Sequence, residues 1–377
     1  MRATTLLQPG RLAFGRDCGP YLRRSGLRST LLITSPPTRA AAETVAEAIR
    51  GEGIHAAIYD GIDREPTLAM FHEALAAARS LAPDGIVGIG GGSALDAAKL
   101  IAAFLYSDQA VEDALGVDLL ARRVTFLACL PTTAGTGSEV SPNAILLDER
   151  DLLKKGVISP HLVPDAAFVD PVLTVSMPPA VTAGTGLDAL THCIEAYTNK
   201  FAHPLIDLYA LEGMRLIAAN LPRAVADGGD LDARENVALG SMYGGLCLGP
   251  VNTAAVHALS YPLGGEFHVA HGISNAVLLP HVMDFNLPTC PERYAEVALA
   301  LGAQPRASHL ETARQGVQRV RELALACGVP LTLSALKVPR AALPRLAEAA
   351  VGVTRLLKNN PREVTLADAV AVYEQAY

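Results

Sequence analysis

A chain of 377 residues, half of them hydrophobic, can bury a sizeable core, and its length favours two domains over one. A formal charge of −7 with no run of Lys or Arg excludes the usual footprint for nucleic acid or an anionic membrane surface. No window of about 20 residues is free of charged and turn residues, so no membrane span is expected.

Residues 1–10 lack an apolar h-region and a cleavage pattern, so no secretory signal is expected. Residues 5–15 suggest a short strand pair ending at Phe14-Gly15. Strands follow at 31–34, 54–59, 85–89 and 125–130, alternating with helical periodicity at 39–50, 67–80 and from 94 to 104. That alternation predicts a Rossmann-like parallel sheet covered on both faces. From about residue 178 helical patterns succeed one another: 187–197, 204–219, 232–248, 250–260, 273–285, 292–301, 309–327, 339–350 and 366–376. No strand of comparable quality lies beyond Asp170. The boundary is expected near Ser176-Met177-Pro178-Pro179, giving an α/β domain of 1–178 and an all-helical domain of 179–377. Six scattered cysteines (Cys18, Cys129, Cys193, Cys247, Cys290, Cys327) without a Cys-x-x-Cys pair point to reduced thiols and a cytoplasmic address.

Two loops stand at predicted strand ends. Gly90-Gly91-Gly92-Ser93 joins a strand to a helix, where glycines let a backbone approach a pyrophosphate and free N–H groups meet it. The same glycines also serve a plain tight turn. Here the loop follows the third main strand rather than the first, unlike the usual dinucleotide fingerprint. The second loop, 131–139, offers Thr132, Thr133, Thr136 and Ser138 as hydroxyl donors at the next strand end.

Asp188 and His192 lie four residues apart on a predicted helix and so share one face. His257 and His271 lie downstream, on two elements joined by a turn through Pro262 and Gly264-Gly265. Three imidazoles and a carboxylate suit Fe²⁺ or Zn²⁺. A hydrogen-bonded helix-face pair and two loop histidines would satisfy the same spacings. His268 and His281 flank the set.

With these residues in place, the chain resembles the iron-containing (group III) alcohol dehydrogenases from Phe14-Gly15 to its last helix. The resemblance is carried by the segments 90–99, 131–139 and 168–171, by 184–195, and by His257, Pro262-Leu263-Gly264-Gly265 and His271-Gly272. It implies a dinucleotide-binding α/β domain followed by a helical metal and substrate domain. Asp188, His192, His257 and His271 would be the metal ligands. Gly91, Gly92 and Ser93 would hold the pyrophosphate of NAD or NADP. Thr132, Thr133, Thr136 and Ser141 would line the cofactor, and Lys154 would reach its ribose. Asp96 and Lys99 belong to the first motif without an assigned role. A homodimer or larger homo-oligomer is implied as well.

Three departures from the family pattern matter. Ser35 stands where NAD-preferring members commonly carry Asp, and with Arg39 nearby it admits a 2′-phosphate. Tyr261 replaces a third histidine, and Glu65 precedes Pro66-Thr67 where Asn is commoner. The expected reaction is metal-assisted hydride transfer between NAD(P)H and a small alcohol, aldehyde or ketone, with Tyr261, His268 or water returning the proton. The alternatives are a dehydroquinate-synthase-like lyase, which needs basic residues for a phosphorylated substrate, a glycerol-dehydrogenase-like enzyme and a maleylacetate-reductase-like enzyme.

Overall fold

The computed structural model describes residues 3–17, 26–150 and 153–377, so Cys18 lies outside the described residues. Its contacts divide the chain into Leu6–Ser176 and a second unit containing Met177–Tyr377.

The first unit is α/β. Its strands are β1 (Arg11–Phe14), β2 (Ser29–Ile33), β3 (His55–Tyr59), β4 (Gly85–Gly90), β5 (Gly116–Val117), β6 (Phe126–Pro131), β7 (Asn143–Asp148), β8 (Leu153–Ile158) and β9 (Ala166–Val169). Six form one sheet in the order β1-β9-β6-β4-β2-β3, with every pairing parallel. Strands buried on both faces can be apolar throughout, as in β4, where all six residues are buried. Helices α1 (Arg39–Gly51), α2 (Leu68–Leu81) and α3 (Gly92–Phe104) complete the layers. Thr67 caps α2 by accepting from the Met70 N–H at 3.2 Å.

Strand β2 pairs with β3 on one side and β4 on the other. The chain therefore reverses direction across the sheet between β2 and β4, and ligands of open parallel sheets bind at the strand carboxyl ends where this happens. The loops after β2, β4 and β6 share that edge.

The expected N-terminal strand pair is a single strand, β1, because its four residues find their hydrogen-bond partner in β9 instead of in a local hairpin. A second sheet of order β5-β8-β7 was not anticipated. Its β7 alternates buried and half-buried residues, whereas β8 carries Lys154 and Lys155, which hide its strand character.

A buried amino group fastens this hairpin to α3. Lys99 is fully buried, and its Nζ donates to the carbonyls of Ser138 and Ser141 at 2.8 Å and to that of Asn143. Asp96, one turn earlier, accepts from the Ser138 hydroxyl and from the Ile145 N–H. These two motif residues thus hold the segment that follows β6 in place.

The second unit is helical: α4 (Pro179–Thr198), α5 (Pro204–Ala226), α6 (Leu231–Leu248), α7 (Ala255–Phe267), α8 (His271–Asn286), α9 (Pro291–Ala300), α10 (His309–Ala326), α11 (Leu343–Val351), α12 (Thr354–Leu357) and α13 (Leu366–Gln375). Among the described residues none of these helices is long and apolar enough to cross a membrane. Thr365 and Asp368 form the capping box that starts α13. The turn expected around Pro262 is not there. Helix α7 runs through Pro262 to Phe267 and ends at His268, which takes up the left-handed conformation at φ 53°.

Glu139, in the short turn after β6, is 3% exposed, and burial raises its carboxyl to about 7 against its own backbone hydrogen bond and the charge of Lys99. A carboxyl raised from 4.5 binds its proton more tightly folded than unfolded. Its contribution to stability is therefore complete below pH 4.5 and is lost as the pH rises to about 7. Across that window the wild type should lose on the order of 3 kcal/mol relative to Glu139→Gln, with the difference level above it. Urea midpoints of both proteins between pH 5 and 8 measure this. Parallel pH profiles would mean that Glu139 titrates normally.

Candidate metal centre and nucleotide loops

In α4, Asp188, His192 and Glu195 recur at i, i+4 and i+7, so one face of the helix carries two carboxylates and an imidazole. All three are at most 5% exposed. Helix α7 brings His257 to this face and α8 brings His271. The approach of α8 depends on Gly272, because a Cβ there would collide with the Gly184 carbonyl of α4.

The result is a convergence on one oxygen. Asp188 Oδ1 lies 3.5 Å from His257 Nε2, 3.7 Å from His271 Nε2 and 3.9 Å from His192 Nε2. The donor atoms of Asp188, His192 and His257 lie within 4.8 Å of one another. The His192 and His257 rings stack at 4.8 Å, and His257 meets His271 edge-on at 5.2 Å. Asp188 and His257 are buried, while the His271 side chain is 29% exposed and gives the cluster its open side.

Burial alone would raise the Asp188 carboxyl. The charges of His192 and His271 and the hydrogen bond with His257 outweigh it and hold the group well below the usual carboxylate range. Burial also opposes charge on His257, yet the Glu195 and Asp188 carboxylates push it up to about 9. The cluster is thus organised around positive charge. With neutral imidazoles, two buried carboxylates leave a double negative charge that a divalent cation cancels, and nitrogen and oxygen donors of this kind suit Fe²⁺ or Zn²⁺. The donor set fits such an ion.

Two residues without an assigned role complete the arrangement. Glu195 accepts from the backbone N–H groups of Ala254 at 3.0 Å and Val256 at 2.6 Å, and from His257 Nδ1 at 2.6 Å. The start of α7 has only Ala254 as its cap, so the carboxylate from α4 satisfies amides that would otherwise be orphaned. Because Glu195 accepts the hydrogen bond from Nδ1–H, His257 presents Nε2 to the cluster. Asn275, fully buried one turn after His271, places Nδ2 2.7 Å from Asp188 Oδ1, 3.2 Å from His257 Nε2 and 3.3 Å from His271 Nε2. Spacing along α4 and α8 is the signal that identifies both.

Of the two proton-relay candidates, Tyr261 stacks obliquely on His271 at 5.9 Å, one turn along α7 from His257. His268 is exposed at the end of that helix.

In the α/β unit, Gly91 is the cap of α3 and supplies no side-chain acceptor to its first amides, Gly92 and Ser93 among them. The threonine loop packs on these glycines: a Cβ on Gly91 would meet Thr133 at 3.2 Å and one on Gly92 would meet Thr136 at 2.6 Å. Thr132 donates its N–H to Gly90 O at 2.9 Å, and its buried hydroxyl has no hydrogen-bond partner. A buried orphan hydroxyl on a residue whose backbone bonds to the glycine loop, together with uncapped amides at the start of α3, fits a phosphate-bearing ligand. Ser141 instead turns its carbonyl and hydroxyl to Lys99, at 2.8 and 3.4 Å. Lys154 Nζ lies 2.7 Å from Glu65, and Ser35 Oγ lies 2.7 Å from Thr38 Oγ1.

Two family profiles match this chain: "Iron-containing alcohol dehydrogenase" over residues 9–171 and "Fe-containing alcohol dehydrogenase family, C-terminal" over residues 182–377. Long-chain-alcohol dehydrogenase 1 of Geobacillus thermodenitrificans (strain NG80-2) is 41% identical over 364 residues, covering 95% of this chain and 92% of that protein. Lactaldehyde reductase of Escherichia coli (strain K12) is 34% identical, covering 94% of each. The crystal structure of a 1,3-propanediol oxidoreductase superimposes with a TM-score of 0.97 at 33% identity over all of both chains.

Glu195→Gln should weaken Fe²⁺ or Zn²⁺ binding by about 10- to 100-fold, because the imidazole loses the carboxylate that fixes its orientation and basicity. Competition with a chromophoric chelator reads the affinity directly. An unchanged affinity would show that the α7 backbone alone positions His257.

Proposed function

This chain belongs to the iron-containing alcohol dehydrogenase family and is an oxidoreductase acting on CH–OH groups, and we propose that Asp188, His192, His257 and His271 hold its divalent metal ion. The observation that carries this assignment is the convergence of three Nε2 atoms on one buried carboxylate oxygen. When bound, the ion supplies Lewis acidity, favouring the alkoxide of an alcohol and stabilising charge that develops on a carbonyl oxygen. The chain's own residues do the rest. Glu195 and Asn275 hold the imidazoles and Asp188 in fixed orientations. Burial of Asp188, His192 and His257 keeps water away from them.

The dinucleotide is assigned to the α/β unit, where the amides of Gly91, Gly92 and Ser93 receive the pyrophosphate and Thr132, Thr133 and Thr136 line the cofactor. The orphan hydroxyl of Thr132 supports this. A nicotinamide held by these residues would supply the hydride-transfer chemistry. Lys154 and Ser35 are assigned to the ribose side. Ser141 acts on the cofactor through Lys99, which fixes its loop. The ring contact between Tyr261 and His271 supports Tyr261 as the residue that returns the proton, with exposed His268 as the second candidate.

Small, largely apolar alcohols and aldehydes are the proposed substrates, and the long-chain-alcohol, lactaldehyde and 1,3-propanediol enzymes it resembles support the alcohol and aldehyde class. Those relatives are redox enzymes, which sets the lyase alternative aside. The free cysteines among the described residues suit a reducing cytoplasm. Exposed Leu205 and Leu208 on α5, 42% and 70% accessible, support a homodimer or larger homo-oligomer.

Anaerobic reduction of a panel of short aldehydes by the Fe²⁺-loaded protein tests the assignment. Chelation should abolish turnover and added metal should restore it. His257→Ala should lower kcat/KM by about a thousandfold, the several kcal/mol that Lewis-acid stabilisation supplies. Full turnover in a chelated sample, or in His257→Ala, would refute the metal assignment.

A further inference from the structure

The cations on the ribose side of the β2–β4 crevice are already engaged. After β2, the hydroxyls of Thr34, Ser35 and Thr38 bond to one another, at 2.8 Å for Thr34–Thr38 and 2.7 Å for Ser35–Thr38. This cluster lies against the glycine loop, for a Cβ on Gly90 would stand 3.5 Å from Thr38 Oγ1. The next residue, Arg39, opens α1 and points its guanidinium at two carboxylates. Nη1 lies 2.6 Å from Asp60, just after β3, and Nη2 lies 3.4 Å from Glu43. Lys154 meets Glu65 at 2.7 Å. The hairpin is tied to that acidic loop by the Leu147 N–H, which donates to Pro66 O at 2.9 Å, so the Lys154–Glu65 pair follows from the backbone path. Arg64, in the same loop, faces Asp63 at 3.1 Å.

A 2′-phosphate brings nearly two negative charges and needs an unengaged Arg or Lys fork. Here it would meet four cations, Arg39, Arg50, Arg64 and Lys154, that already face four carboxylates, and capturing Arg39 would take from Asp60 the guanidinium that it faces and leave Glu43 to Arg50. A free ribose 2′-hydroxyl raises no such conflict, since carboxylates and the Ser35 hydroxyl accept from it. Arg39 therefore does not offer the phosphate site that its place in the sequence suggests.

Resting on the assignment of the dinucleotide to this crevice, we propose that Asp60 and Glu65 set the cofactor preference by occupying Arg39 and Lys154, so that the chain takes NAD(H) and rejects NADP(H). The effect is electrostatic, and both carboxylates are half exposed, with side-chain accessibilities of 38% for Asp60 and 38% for Glu65, although the Lys154 side chain itself is buried. Discrimination should therefore weaken as salt screens the carboxylates.

Fluorescence titration of NADH and NADPH into the intact protein tests this without turnover or metal. The expected result is NADH binding at least about tenfold tighter than NADPH at low salt, a ratio that shrinks with ionic strength. Asp60→Asn should move the ratio toward NADPH by about tenfold, and adding Arg39→Ala should cancel that gain. Glu65→Gln gives an independent shift in the same direction. Equal or tighter NADPH binding by the wild type, or a ratio that neither Asp60→Asn nor Glu65→Gln moves, overturns the proposal. Failure of both nucleotides to bind overturns it together with the dinucleotide assignment, whereas tight binding without aldehyde reduction leaves the preference measured and refutes only the catalytic assignment.

Discussion

Three imidazole nitrogens and an amide gather around Asp188 Oδ1, a carboxylate oxygen buried in the helical unit. A buried carboxylate is unfavourable unless positive or hydrogen-bonding groups face it. Much of the local packing follows from that requirement. Gly272 lets α8 lie close to α4, which carries both His271 and Asn275 to the oxygen. Glu195 caps α7 from α4, which turns His257 so that Nε2 faces inward. Helices α4, α7 and α8 are thus joined by polar contacts that only a precise relative placement can satisfy together.

The α/β unit solves a comparable problem with the opposite sign. Lys99 is a fully buried cation, answered by carbonyls of the segment that follows β6 and by Asp96 one turn away on α3. Its ammonium group ties the end of the threonine loop to the helix that begins at the glycine loop. The two loops therefore act as one rigid edge, in which the Thr133 and Thr136 side chains fill the space that glycines at 91 and 92 leave free. Glu139, buried beside this network, is the group whose ionisation strains it.

Charge is handled differently in the two places. In the buried clusters each ionised group has several partners, and geometry fixes which atoms are presented. At the strand ends after β2 and β3 the Arg39–Asp60 pair is exposed while the Lys154 side chain is buried against a half-exposed Glu65, and these pairs decide which charges remain available to a ligand. The nearness of Arg39 to Ser35 in sequence suggests a phosphate receptor, and Asp60, twenty-one residues later, removes that option by closing on the guanidinium.

Sequence periodicity determined the α/β character of the first unit and the helical character of the second, because continuous apolar runs suit a covered parallel sheet and successive helical patterns suit helix packing. It also marked Asp188 and His192 as neighbours on one helical turn, and the ordered motifs linked them to His257 and His271. Tertiary structure decided what spacing cannot encode. The β7–β8 hairpin was hidden by its lysines, and β1 found its partner about 155 residues away in β9, a pairing whose register is set by the sheet. Helix α7 continues through Pro262 because packing in the helical unit overrides the local preference for a break. The partners of Glu195, Asn275, Lys99 and Arg39 likewise depend on where distant elements place a carboxylate, an amide or a carbonyl, and a one-dimensional pattern carries no record of distances between residues far apart in the chain.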